Sequence, residues 1–159
     1  VKIANQAQLV NLIAPIMSSE DGGSWRQTIF YPYYHASKFG RGTVLESRVT
    51  SPTYDSKDFK DVDLLDQVTV FDEDKEELTI FVVNRDTESA LELKSELNGF
   101  DDYQIVEHIV LEHEDLKAVN TEDNPDNVKP HKNGNSEVKG NTLTAELAKL
   151  SWNVIRLSK

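Results

Sequence analysis

Between residues 65 and 111, apolar and polar side chains alternate with a period of two, and turn-forming residues break the alternation at intervals. That period belongs to β-strands with one face in a core and one in water. Residues 65–71 read as one strand and residues 72–75 as a polar turn. The next strand, residues 78–84 (LTIFVVN), is apolar at odd and even positions alike, so it is predicted central and covered on both faces. Leu91, Leu93 and Leu97 alternate with Glu92, Lys94 and Glu96, as in a strand with one wet face. Asn98-Gly99, both tolerant of positive φ, predicts a hairpin into a strand over residues 103–111. An earlier strand over residues 43–49 is closed by Ser51-Pro52. At the other end, residues 143–157 change apolar parity between Leu147 and Leu150, which predicts a bulge or bend. The polar stretch 112–141, with Asn124-Pro125, Lys129-Pro130 and Asn133-Gly134, is predicted to be a long loop. Six or so strands at this spacing mean a sandwich or barrel.

The opening residues differ. Ile3, Ala7, Val10 and Ala14 recur at helical spacing, and Pro15 limits the pattern, so a helix is expected over residues 1–11. The apolar run 12–17 then suits a short buried strand, and residues 18–24 a loop around Gly22-Gly23. Phe30, Tyr33, Tyr34 and Ser37 repeat at three or four, predicting a second helix up to Phe39. Thr28 is expected to cap it, and Gly40 and Gly42 to end it. Helix, strand, loop and helix form one slice of an alternating α/β layer that cannot bury its own faces.

Composition excludes more than it assigns. The longest apolar run is too short to span a bilayer, the opening residues do not read as a signal peptide, and Val1 in place of Met fits a piece of something larger or a processed mature protein. Cysteine is absent, which rules out disulfides and Cys-built zinc sites. Against 17 basic residues stand 28 acidic ones, for a net charge of −11, which disfavours nucleic acid and anionic membranes but leaves a neutral sugar polymer indifferent.

Few residues carry chemistry. No Ser or Cys nucleophile motif and no phosphate loop is present, and His35, His108, His113 and His131 lie in unrelated settings. A packed structural role is expected for His35, and a metal role for His108 and His113 is disfavoured. Glycoside hydrolysis needs two carboxylates at a set separation, but acids such as Glu92, Glu96, Asp101 and Asp102 read as a solvated face. The segment that looks like a site is Trp25-Arg26-Gln27. Trp25 offers a flat apolar face for a sugar, and the Gln27 amide both a donor and an acceptor for hydroxyls. The same two residues also read as a tryptophan packed under the loop and a glutamine capping the helix.

Four runs go further: AQLVNLIAPIM (residues 7–17), GGSWRQTIFYPYYHASKFGRG (22–42), AVNTEDNPDNVKP (118–130) and LSWNVIRL (150–157). In this order they closely resemble the C-terminal portion of glycoside hydrolase family 51 α-L-arabinofuranosidases. Between residues 51 and 114 the likeness is one of strand pattern only. The resemblance implies a mainly β chain. Residues 1–42 would be the last helix-strand-helix remnant of a catalytic (β/α)8 barrel, and residues 43–159 a C-terminal jelly-roll β-sandwich. It further implies a parent retaining enzyme that removes terminal α-L-arabinofuranosyl groups from arabinan, arabinoxylan and related oligosaccharides. The two catalytic glutamates would lie upstream of Val1, leaving this chain inactive alone. Gln27 would contact the arabinose, with Trp25 lining the same pocket. No cofactor and no metal are expected; a homo-oligomeric, cytoplasmic parent is. Two other readings fit the same residues: a freestanding carbohydrate-binding sandwich module, or an assembly domain using the aromatic helix.

Overall fold

The computed structural model describes residues 5–159. Two antiparallel sheets face each other. The larger has five strands in the order β3 (Thr43–Leu45), β6 (Leu65–Asp72), β7 (Glu77–Asn84), β12 (Ser151–Ser158) and β9 (Gln104–Leu111). The smaller has three, in the order β10 (Asn135–Lys139), β11 (Thr142–Leu147) and β8 (Leu91–Glu96). Alternation puts one set of side chains from each strand between the sheets. Leu78, Ile80 and Val82 of β7 and Ile155 and Leu157 of β12 meet Leu93 of β8 and Leu143, Ala145 and Leu147 of β11 there. Burying each such aliphatic side chain stabilises the fold by roughly 1.5–3 kcal/mol. Two short ribbons complete the strands: β1 (Ile16–Ser18) with β2 (Ser24–Arg26), and β4 (Thr53–Tyr54) with β5 (Val62–Asp63).

The outer face of the large sheet is covered as well. Helix α1 (Phe30–Phe39) carries Tyr31, His35 and Phe39 at spacings of four, hence on one stripe. Phe39 packs with Trp152 against Val70, Phe81, Ile109 and Val154, the outward residues of four strands. The Trp152 indole N–H donates to His35 Nδ1 at 3.2 Å, and the Arg156 guanidinium lies 4.3 Å from the Phe39 ring centre. Arg156 is itself held by the carboxylates of Glu77 and Glu107. β7 is therefore central and double-faced, as its uniform apolarity predicts, and β12 beside it shares that burial.

Several expectations change. Over residues 5–11 the predicted helix is absent: Gln8 and Asn11 have positive φ, and the Asn11 side chain accepts from Ser18 N at 2.7 Å. An isolated segment of that length is a marginal helix, and this side-chain bond fixes a turn in its place. Val1, Lys2, Ile3 and Ala4 lie outside the described residues. Of the strand expected at 12–17, only the end is extended. Ile16–Ser18 pairs with Ser24–Arg26, Ala14 is buried, and Leu12 and Ile13 are 77% and 65% exposed. The residue before α1 is Ile29, with no side-chain cap, so Thr28 does not cap; Gly40 does end the helix.

Asn98-Gly99 turns, with Gly99 at φ 86°, but closes no hairpin, because β8 pairs with β11 whereas β9 pairs with β12. Two successive turns, Phe100 N to Leu97 O and Tyr103 N to Phe100 O, carry the chain from one sheet to the other while Leu97 and Tyr103 stay in the core. The hairpin falls instead at Gly140-Asn141, between β10 and β11. β10 thus occupies part of the predicted polar loop. The parity change after Leu147 is a second crossing between sheets. The Asn84 amide donates to the carbonyls of Leu147 and Ala148 at that corner, and Leu150 takes a φ of 51°. The bulge lies in β9: Arg156 faces Glu107 and Leu157 faces Ile105, which leaves Val106 without a partner.

Two imidazoles are buried, His35 against Trp152 and His108 with its Nε2 3.1 Å from Asn153 Oδ1. Burial lowers both pKa values; Glu107 partly opposes this for His35, and the Asn153 hydrogen bond does so for His108. Below the ordinary histidine pKa of about 6.5 the unfolded chain therefore takes up protons that the folded chain refuses. Stability is complete above that pH and is lost as pH falls through the lowered folded values, by up to about 1.4 kcal/mol per pH unit for each group. The urea midpoint is expected to drop from about pH 7.5 to about pH 5.5, and to drop less in His35→Gln/His108→Gln. Equal pH dependence in both proteins would contradict this.

Candidate functional site

The candidate segment Trp25-Arg26-Gln27 forms the second strand of the β1–β2 ribbon and the exit toward α1. Met17 stands opposite Trp25 and Ile16 opposite Arg26. Gln27 is anchored twice to the first limb: its backbone N–H donates to Pro15 O at 2.8 Å and its Nε2 to Ala14 O at 2.9 Å. Its carbonyl accepts from Phe30 N at 3.0 Å, starting the turn into the helix. The side-chain amide thus spends a donor on the protein and keeps Oε1 as an acceptor for another group. Trp25 is partly buried, and the Arg26 guanidinium lies 5.6 Å from the centre of the Phe30 ring. The structure brings Trp25 and Gln27 onto one short ribbon. Gln27 fastens that ribbon, with no side-chain cap to the helix.

A second segment holds the ribbon from outside. Residues 112–134 leave β9, wrap, and return to it, where His131 and Val110 exchange two backbone hydrogen bonds of 2.8 and 2.9 Å. Inside this loop the buried Asn120 side chain pairs with the Val128 backbone, accepting from its N–H at 2.7 Å and donating to its carbonyl at 2.9 Å. The same Nδ2 donates to Arg26 O at 2.9 Å. At the ribbon's tip Ser19 Oγ donates to Glu122 Oε1 at 2.6 Å, and Gly23 lies so near that a Cβ there would stand 2.0 Å from that oxygen. Two of the sequence runs singled out above, around Trp25 and around Asn120, therefore touch. Spacing along the chain gave no sign of this contact, since 94 residues separate its ends.

The histidines sit in structural settings. His35 takes the packed, hydrogen-bonded role expected of it. His108 faces the sheet interior against Gly134, and His113 caps its own turn from the surface, accepting from Asp115 N at 3.0 Å. Among the described residues no three His, Asp or Glu side chains gather for a metal ion. Burial works against ionisation of Glu107, but hydrogen bonds from Lys132 and Arg156 outweigh it and hold the carboxyl below its usual range. A glycosidase proton donor needs the opposite displacement. Tyr103 is buried in the core and Trp152 lies under α1, so neither is free to stack on a sugar.

α1 shows a second, outward stripe: Phe30 and Tyr34 stack at 5.8 Å between ring centres, and Tyr33 and Tyr34 are exposed. With Leu9, Leu12, Ile13 and Ile29, also exposed, they put a set of large apolar side chains on the first forty residues. Isolated soluble domains seldom leave so much apolar surface uncovered.

Residues 1–151 match the family model described as the alpha-L-arabinofuranosidase C-terminal domain. The chain is 55% identical over 159 residues to an intracellular exo-alpha-(1->5)-L-arabinofuranosidase of Halalkalibacterium halodurans, a match covering 100% of this chain and 31% of that protein. Its likeness to intracellular exo-alpha-(1->5)-L-arabinofuranosidase 1 of Bacillus subtilis is 56% over the same length, again 100% of this chain and 31% of the relative. Among solved structures, a family 51 alpha-L-arabinofuranosidase from Bifidobacterium longum superposes with a TM-score of 0.88 at 34% identity, over 94% of this chain and 29% of that one. A GH51 arabinofuranosidase from Xanthomonas axonopodis pv. citri gives a TM-score of 0.89 at 23% identity, over 99% and 31% of the two chains, a likeness of fold. The chain spans 31% of the length of the first two relatives. Sandwich, ribbon and matched length together make the chain a member of the alpha-L-arabinofuranosidase C-terminal domain family.

Proposed function

We propose that this chain is the C-terminal part of a retaining, exo-acting α-L-arabinofuranosidase. The whole enzyme would remove terminal arabinofuranosyl groups from arabinan, arabinoxylan and related oligosaccharides inside the cell, as a step of arabinan breakdown. The observation that carries this reading is the match at 55% identity, over the whole of this chain, to a protein named an intracellular exo-alpha-(1->5)-L-arabinofuranosidase. In this reading residues 1–42 finish the catalytic (β/α)8 barrel, and residues 43–159 form a jelly-roll that supports it. The exposed stripe of α1 and the exposed Leu9, Leu12 and Ile13 support the division, because a barrel wall would cover them. Both catalytic glutamates lie upstream of this chain.

Trp25 and Gln27 belong to the arabinose subsite. Gln27 suits it because its amide is fixed from behind by Ala14 and retains an acceptor for a sugar hydroxyl. A hydrogen-bonding group held this firmly discriminates strongly against ligands that lack the partner hydroxyl. Trp25 supplies an apolar wall alongside. The intracellular names of the relatives support a cytoplasmic enzyme. The whole enzyme would be a homo-oligomer, with the sandwich contributing to the interface; exposed Val44 and Val68 on the large sheet offer it an apolar surface.

Two outcomes follow. The purified chain does not hydrolyse 4-nitrophenyl α-L-arabinofuranoside; activity that co-elutes with it through successive columns would contradict the assignment of the acids upstream. In the whole enzyme, Gln27→Ala lowers kcat/KM for that substrate by ~10- to 100-fold, the loss of one firmly held hydrogen bond to the sugar. An unchanged kcat/KM would remove Gln27 from the subsite.

A further inference from the structure

We infer that Asn120 is a positioning residue for the reaction, acting through Arg26 on Gln27 although it lies in the sandwich. The inference rests on the subsite reading of Gln27 above. The ribbon β1–β2 has two strands, so among the described residues no strand pairs with the outer edge of β2. A two-stranded ribbon is marginal by itself in water. Asn120 supplies the missing partner, with its Nδ2 2.9 Å from the Arg26 carbonyl, one residue before Gln27.

Asn120 is suited to hold that position firmly. It is 5% exposed, and its amide is locked to the Val128 backbone on both its donor and acceptor sides. Around it the loop is braced by Asn127 Nδ2 to Val119 O at 3.2 Å and by Thr121 N to Asn124 O at 3.2 Å. The loop ends are then fixed to β9 through His131 and Val110. Rigidity therefore passes from the large sheet through the loop to the Arg26 carbonyl. Glu122 makes the parallel tie at the ribbon tip through Ser19. Gln27 is anchored to the other limb of the ribbon and, through its carbonyl, to the first turn of α1; the ties from Asn120 and Glu122 add a second, separate link from the ribbon to the sandwich.

The test is a double-mutant cycle in the whole enzyme with 4-nitrophenyl α-L-arabinofuranoside. Asn120→Asp is nearly isosteric and keeps the acceptor for Val128 N–H while losing both donor bonds. It is expected to lower kcat/KM by ~10-fold, since small displacements of a substrate-positioning group are costly. In the Gln27→Ala background the same substitution is expected to cost less than ~2-fold, because a residue acting through Gln27 has nothing left to act on. Equal losses in both backgrounds would make Asn120 a general structural residue and overturn the inference. So would a kcat/KM for Asn120→Asp that stays at the parent value while Gln27→Ala is slow. If Gln27→Ala is itself unchanged, the subsite reading has failed, and the inference with it. Should Asn120→Asp fail to fold, Glu122→Ala on the exposed turn serves: a ~3-fold loss confined to the Gln27 background supports the inference, and none overturns it.

Discussion

β12 is covered on both faces, and most of the structure depends on that. Its inward residues Ile155 and Leu157 belong to the core between the sheets, and its outward residues Trp152, Val154 and Arg156 lie under α1. A strand in this position cannot face water without losing one core or the other. The outward face is also the costlier to expose. Arg156 is held between Glu77 and Glu107, all three largely buried, and removing one member leaves uncompensated charge where water is scarce. Phe39 covers the guanidinium, and the hydrogen bond from Trp152 to His35 fixes the helix rotation. The helix is thereby part of the sandwich in packing, even though its other stripe faces away.

This two-sided helix gives the first forty residues their character. One stripe, Tyr31, His35 and Phe39, is spent on the large sheet. The other, Phe30 and Tyr34 with neighbouring Tyr33, is offered to whatever lies beyond. Between them the ribbon carrying Trp25 and Gln27 is tied to a sandwich loop through Asn120 and Glu122. In the proposed reading the sandwich supplies no bond-breaking group and acts on the reaction by fixing where the contacting amide stands. In that reading, supporting a barrel and holding a subsite residue are the same mechanical task.

The sheets were largely legible from the alternation, because inward and outward residues of β6, β7, β8 and β9 differ in polarity wherever one face is wet. The apolar run of β7 correctly marked it as central. What alternation could not reveal was which sheet each strand joins. Asn98-Gly99 has hairpin chemistry, yet Leu97, Phe100 and Tyr103 are core residues, and burying them takes the chain across to the other sheet. The parity break after Leu147 was a true signal with a different cause, a crossing held by Asn84. In the opening segment the visible period, Phe30, Tyr33, Tyr34 and Ser37, located the helix but marked its outward stripe; the packed stripe contains a histidine and is less apolar to the eye. Helical spacing over residues 5–11 misled because Asn11 bonds to Ser18 and turns the chain. Residue type and resemblance mark Trp25 and Gln27. Neither marks Asn120, whose importance comes from a contact across 94 residues that no local pattern encodes.

Amide hydrogen exchange on the purified chain tests most directly whether α1 is bound into the sandwich through β12. Interlocked packing of Phe39, His35, Trp152 and Arg156 predicts that the amides of the last turn of α1, up to Gly40, exchange as slowly as those of β12 and open together with it. Fast, peptide-like exchange across α1 beside a well-protected β12 would contradict it.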